Sequence, residues 1–355
     1  MSTLAAEALT LHNNIPQGKL SERDQALISA LQASNPAYEP LDATVLYALH
    51  TAREAVAQAN WRDLRFGINI GSSRGATALF EKHYSHFLAE GTCQTLASPT
   101  TTLGNISTWL AQDLGNQGFE LSHSITCSTA LHGIANAIAW LESGMEQRFL
   151  VGGSEAPLTP FTIAQVKALK IYSSLPLPYP CRAMDMTKKQ STMVLGEGAG
   201  CFCLEKGEHP NALAHIVGIG FATEKLTHSV SLSKNGDCLQ TSMQRALASA
   251  GNPKIDAIIT HCTGTIKGDQ AELNAIEAVF GDERPLLTNN KWQHGHTYGA
   301  SGALNLAMAV RMLQNNRFEP VPYLPTPECI PDKLQHILIN AVGFGGNGIS
   351  VVVSC

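Results

Sequence analysis

A chain of 355 residues with 15% charged and 44% hydrophobic residues has too little charge to leave most of itself in water, so it needs a large core or a large subunit interface. A formal net charge of −5 and the lack of any Lys/Arg run exclude general nucleic-acid binding as the leading function class. There is no uninterrupted apolar run of about 18 residues to make a membrane-spanning helix. The start, MSTLAAEALTLHNNIPQ, lacks the basic opening and compact apolar run of a secretory signal. Nine cysteines, an odd number without a CxxC pair, fit reduced thiols in a cytoplasmic protein better than a disulfide framework.

The length allows two ordinary domains or one large domain built from two similar halves. Residues 20–60 read as helical, with LDATVLYALHTAREAVAQAN placing apolar side chains at helical spacing. LRFGINIGSS reads as a strand running into a Gly/Ser turn, and residues 100–114 as a helix. LSHSITC reads as a strand ending in Cys127, followed by the helix STALHGIANAIAWLESG, which Gly144 closes. FLVGGSEAP is a further strand, residues 173–195 are a proline-rich surface excursion, and GAGCFCLEK returns as a strand.

The second half repeats the alternation. AHIVGIGFATE, KIDAIITH, PLLTNN, HILINAV and GISVVVS read as strands; LQTSMQRALASAG, DQAELNAIEAVFG and ASGALNLAMAVRMLQNN read as helices. This order predicts an α/β architecture with mainly parallel sheets. The helices CSTALHGIANAIAWLESG and GASGALNLAMAVRMLQNN both open on Gly, Ala and Ser, which let a helix be buried on several sides. Their corresponding places suggest a duplicated fold, divided here into residues 1–206 and 207–355.

Cys127 is expected where a strand gives way to a helix, a point at which unpaired helix N–H groups and the dipole stabilise a thiolate and can hold a developing oxyanion. This placement makes it the expected most reactive thiol. His261 follows the apolar run KIDAII and precedes Thr and Gly, a position suited to a cleft. His296 lies just before the second small-residue helix, whose dipole would favour a neutral imidazole. Each residue taken singly also has an ordinary structural explanation, since free cysteines are commonly buried and inert. His294 and His296 lie two apart, but without HExxH, a CxxC pair or a defensible carboxylate partner no metal is expected. GFGGNG lies between two expected strands, so it is not a dinucleotide or phosphate loop.

Together the motifs resemble those of β-ketoacyl synthases. ITCSTALHGI resembles the family's nucleophile motif, HCTGTIKGDQAE its HGTGTxxGDxxE motif, KWQHGHTYGASG its KSxxGHxxGAxG motif, NAVGFGGNG its GFGGTN motif, and MVLGEGAGCFCLEK its GEGAG strand. They occur in the family's order, with the resemblance running from about residue 42 to the end. The resemblance implies a five-layered αβαβα thiolase fold, a dimer and no cofactor. It implies that Cys127 takes an acyl group from an acyl carrier protein. His261 and His296 would promote decarboxylation of a malonyl carrier protein and stabilise the enolate oxygen. It further implies an oxyanion hole from the N–H groups of Cys127 and Phe344, with Phe344 a gate. Lys291 would fix the histidine region, and Thr263 and Thr265 would line a phosphopantetheine channel.

The sequence also departs from the family pattern. The opening strand with its ITGxG turn has no clear counterpart. Cys262 replaces a glycine beside His261, Trp292 replaces a serine, and Asn305 stands where the family carries an acid. GFGGTN becomes GFGGNG, and RPFDxxRDG becomes CRAMDMTKKQS, which keeps Arg182 and Asp185. Two readings follow. One is an active condensing enzyme of type II fatty-acid or polyketide synthesis. The other resembles a chain-length factor, which pairs with an active ketosynthase as a second ketosynthase-fold subunit and shapes the acyl tunnel. A thiolase is disfavoured, because Cys329 and Cys355 lack the context of that family's second cysteine.

Overall fold

The computed structural model describes residues 1–103, 105–225 and 232–355. The strands are β1 (Ser2–Ala5), β2 (Thr10–His12), β3 (Ile15–Gln17), β4 (Gly67–Gly71), β5 (Glu120–Leu121), β6 (Arg148–Glu155), β7 (Gly198–Glu205), β8 (His215–Thr223), β9 (Ala257–Ile259), β10 (Leu286–Thr288), β11 (His336–Gly343) and β12 (Asn347–Ser354). They form two five-stranded sheets, ordered β1-β7-β6-β4-β5 and β10-β9-β11-β12-β8, and a β2-β3 hairpin.

Helices Thr129–Ser143 and Ser301–Gln314 lie between the sheets. Ala130, Leu131 and Ile134 of the first and Ala303, Leu306 and Ala307 of the second share one apolar cluster with β6 and β11. Small side chains let the two helices and two sheets approach closely enough to exclude water, and each fully buried Leu or Ile there contributes about 1.5–3 kcal/mol. Helix Ala43–Gln58 covers the outer face of the first sheet. Its start is fixed by Asp42, whose carboxylate accepts the Thr44 N–H at 2.9 Å. Helices Asp237–Ser249 and Ile266–Phe280 cover the outer face of the second sheet. The stacking is α–β–α–β–α, the thiolase-like arrangement.

Several expectations are corrected. An opening strand is present, β1, pairing antiparallel with β7. The sheets are mixed: four of the eight pairings within them are antiparallel. Residues 20–60 form two helices, Glu22–Ala33 and Ala43–Gln58. The helix expected over 100–114 is Ala97–Thr101 followed by Asn105–Leu114, with residue 104 outside the described residues. Of the strand expected over residues 121–127 only Leu121 lies in a ladder strand, the short β5, because the chain must turn there to present the cysteine. Residues 173–195 are irregular but not superficial. Cys181, Ala183, Thr192, Val194 and Leu195 are buried, since this segment packs over the site. Helices Thr77–Glu90 and Pro160–Ala168 were not expected from the sequence.

Candidate active site

Cys127 is delivered by the first half and the histidines by the second. Before the cysteine the backbone turns through Thr126, whose φ of 47° is strained for a β-branched residue. The turn is stitched by the Thr129 hydroxyl, which accepts the Ile125 N–H at 2.9 Å, and by the Thr126 hydroxyl, which donates to the Phe344 carbonyl at 3.2 Å. Gly343 is needed beneath it: a Cβ there would stand 1.7 Å from Thr126 Oγ1 and 3.1 Å from the Cys127 nitrogen. The GFGG segment is therefore the floor of the cysteine turn, between β11 and β12.

His261 leaves the end of β9 and is held by its backbone. Its N–H donates to Glu272 Oε1 at 2.9 Å, and that of Cys262 to Oε2 at 2.7 Å. Asp269 accepts the Thr263 and Gly264 N–H groups at 3.0 and 3.1 Å and pairs with buried Lys188 at 2.9 Å. Two acids one helical turn apart thus cradle the whole HCTG loop. His296 is tied to the irregular segment: its N–H donates to the Val194 carbonyl at 2.7 Å, and its carbonyl accepts the Gly196 N–H at 3.1 Å. A Cβ on Gly196 would lie 1.9 Å from the His294 carbonyl oxygen, so the first glycine of GEGAG lets the histidine-bearing chain pass.

These elements bring His296 Nε2 to 3.1 Å from Cys127 Sγ. The thiol and one nitrogen of each imidazole all lie within 4.8 Å of one another. The two rings meet edge-on at 5.3 Å between centroids. Neither histidine's Nδ1 has a protein partner among the described residues. Lys291 is fully buried close by, its Nζ on Asn305 Oδ1 at 3.3 Å and Asn290 Oδ1 at 3.4 Å.

The electrostatics correct the expected thiolate. Burial and then the charge of Glu155 push the Cys127 thiol up to about 12, against the opposing pull of Lys291 and of the Cys127 and Phe344 N–H groups that face the sulphur. Burial, and secondarily Lys291, hold His296 down at about 3; burial, then His296 and then Lys291, hold His261 well below its ordinary value. The histidines are neutral because they are dry and stand near a lysine. The resting site is a neutral thiol against a neutral imidazole.

Thr263 is buried and Thr265 half-buried on the loop before helix Ile266–Phe280, their hydroxyls 3.5 Å apart. The Phe344 side chain is 42% exposed while its backbone faces the cysteine. Cys262 is buried against Asn289, which donates to its carbonyl at 2.8 Å. Trp292 packs edge-on to Tyr179 at 6.2 Å. Arg182 keeps its two bonds to Asp185, at 2.9 and 2.6 Å.

Sequence reasoning passed over Glu155. This fully buried carboxyl at the end of β6 accepts N–H groups from Ser73, Arg74 and Gly299, and burial pushes it up to about 7. It joins the turn after β4 to the turn after His296. The signal was an acid closing an otherwise uncharged apolar run, FLVGGSE. Asp269 and Glu272 were also visible, as acids three apart just after the HCTG loop.

A cysteine at the start of a buried middle-layer helix, two dry imidazoles within reach, and backbone N–H groups facing the sulphur define a thiolase-fold condensing acyltransferase. Comparison with known proteins agrees. The sequence models of the beta-ketoacyl synthase N-terminal and C-terminal domains match residues 4–209 and 213–324, so the likeness begins well before residue 42. Nodulation protein E of Rhizobium meliloti (strain 1021) is 30% identical over 337 residues, covering 86% of this chain and 81% of that protein. The 3-oxoacyl-[acyl-carrier-protein] synthase 2 of Coxiella burnetii is 28% identical over 345 residues, covering 88% and 82%. A type II polyketide ketosynthase solved with its acyl-carrier protein superposes with a TM-score of 0.79 at 21% identity, covering 96% of this chain and 88% of that one. The ishigamide ketosynthase/chain length factor gives 0.76 at 23% identity, covering 89% and 82%. This chain belongs to the beta-ketoacyl synthase family.

Proposed function

We propose that the chain extends an acyl group by decarboxylative Claisen condensation with a malonyl thioester on an acyl carrier protein, in type II fatty-acid or polyketide synthesis. The observation that carries this reading is the 3.1 Å approach of His296 Nε2 to Cys127 Sγ with His261 beside both. In the loading step Cys127 attacks the acyl thioester, its proton passing to His296, while the N–H groups of Cys127 and Phe344 receive the oxyanion. The carrier thiol leaves with the proton. In the second step His261 and His296, both neutral, donate N–H groups to the malonyl thioester oxygen. Loss of CO2 leaves an enolate, whose carbon attacks the Cys127 thioester and frees the sulphur as a thiolate, which takes a proton from water to restore the resting thiol. Lys291 holds positive charge beside these events, and Thr263 and Thr265 offer hydroxyls to the amide-rich carrier arm.

A complete nucleophile-and-histidine set is the argument against a purely tunnel-shaping subunit. The expected partner is an acyl carrier protein, in line with the neighbour solved with one. A dimer, with itself or with a second ketosynthase-fold subunit, is supported by the uncovered apolar face of helix Thr77–Glu90. Nine free cysteines fit the cytoplasm, and no helix among the described residues is long and apolar enough to cross a membrane. The test is Cys127→Ala, alone and with any co-purifying ketosynthase, read by acyl loading and malonyl-dependent elongation. Loss of elongation in an assembly with no other ketosynthase upholds the enzyme. Elongation that persists, and stops only when the partner's cysteine is removed, makes this chain the tunnel-shaping subunit.

A further inference from the structure

Lys291 is a cation with no anion bound to it. Its ammonium is wholly buried, yet its hydrogen-bond partners are the amide oxygens of Asn305 at 3.3 Å and Asn290 at 3.4 Å. Among the described residues no carboxylate lies within 4.0 Å of Nζ, and both asparagines leave Nδ2 buried without a partner. The groups whose charges act on Lys291 are Glu272, Cys181, Cys262 and Cys127, and it acts in turn on His261, His294 and His296. Of these Glu272 is the one carboxyl, and its oxygens are already engaged by two backbone N–H groups and Asn340.

We infer that Asn305 makes Lys291 a reversible proton site, an ammonium in the working enzyme and a neutral amine in mild alkali, so that its charge sets the alkaline limit of acyl loading. The chemistry of the partner is the reason. A carboxylate can only accept, which would lock the ammonium. An asparagine turns its oxygen to an ammonium and its NH2 to an amine, so the same two amides serve both forms. Burial acts in the same direction, bringing the lysine down to about 8. When the proton leaves, Cys127 and the developing enolate lose the positive charge that acts on the thiol. Lys291 and Asn305 are thus positioning residues, acting through Cys127, and the loading half of this inference rests on the condensing reading above.

The test measures urea unfolding of the full chain under reducing conditions, from pH 7 to 10, for wild type, Lys291→Met and Asn305→Asp. Wild type should gain stability relative to Lys291→Met above about pH 8, its relative unfolding constant falling about tenfold per pH unit. Asn305→Asp should abolish that gain below pH 10. Acyl loading of Cys127, followed by intact mass, should fall above about pH 8 in wild type and persist at least one pH unit higher in Asn305→Asp. Wild type running parallel to Lys291→Met throughout overturns the inference, as does an unchanged profile in Asn305→Asp. If Asn305→Asp does not fold, the wild-type and Lys291→Met pair still decides. A clear unfolding gain with no acyl loading at any pH would uphold the proton site and sink the condensing function instead.

Discussion

At the scale of single residues, the site keeps the thiol and the imidazoles uncharged until substrate arrives. A thiol pushed up to about 12 beside an imidazole held at about 3 forms no standing ion pair at neutral pH. Small alkylating reagents should therefore label the exposed Cys93, Cys329 and Cys355 before Cys127, reversing the expectation drawn from a helix N-terminus alone. An acyl thioester should modify Cys127 selectively, because His296 can take the proton only as the bond to carbon forms. Peptide mapping after each reagent checks both; early iodoacetamide labelling of Cys127 would mean a thiolate exists. His296 also links stability to pH. It is neutral when folded and takes a proton near pH 6.5 when unfolded, so its contribution is complete above about 6.5 and is lost as pH falls toward about 3. The full span is on the order of 5 kcal/mol. His296→Asn should flatten the decline in urea midpoint between about pH 6.5 and 4; an equally steep decline would place the acid sensitivity elsewhere.

At the scale of elements, the histidine-bearing chain and the GEGAG strand are packed backbone to backbone. Gly196→Ala sets a methyl 1.9 Å from the His294 carbonyl, and backbone cannot yield as a side-chain tip can. The expected cost is about 1–3 kcal/mol of stability with a loss of about a hundredfold or more in acyl loading, as His296 is displaced. Thermal unfolding and loading of the same preparation test this, and near-normal loading would show that the contact is tolerant. The elements themselves were largely legible. Alternation of apolar strands with small-residue helices located the middle layer, and Gly144, at a φ of 75°, does end its first helix. Strand direction was not legible, because antiparallel β7 and β12, buried on both faces, read like parallel strands. β1 escaped notice because Ser2–Ala5 is four residues long with no periodic partner nearby in sequence. In the site, Cys127, His261, His296 and Lys291 stood out through their motifs. Glu155 did not, since its role depends on N–H groups from residues 73, 74 and 299, which only folding gathers.

At the scale of the molecule, helix Thr77–Glu90 buries none of its residues, yet carries Phe80, Tyr84, Phe87 and Leu88 at exposures of 44–67%. Their spacing of four, three and one places them along one side of the helix. Such a surface is costly for a lone chain and is what a partner would cover. The chain should sediment as a dimer at micromolar concentration, and Phe80→Asp with Leu88→Glu should shift it to monomer without lowering the thermal midpoint by more than about 5 °C. A wild-type monomer that stays monomeric with a co-purifying ketosynthase would refute the interface.

The division of the site between the two sheets has a practical consequence. Cys127 arrives with residues up to Glu205, and His261, Lys291, His296 and Phe344 arrive with residues from His215 onward, while the link between them is exposed over residues 207–213. Cutting the chain there would leave each fragment with an unmated apolar face and an incomplete set of reacting groups. Fragments 1–206 and 207–355 made together should reassemble, and acyl loading would then appear only on reassembly. Turnover becomes a signal of fragment complementation, a split reporter with little background because no fragment alone holds both Cys127 and the His261–His296 pair that faces it.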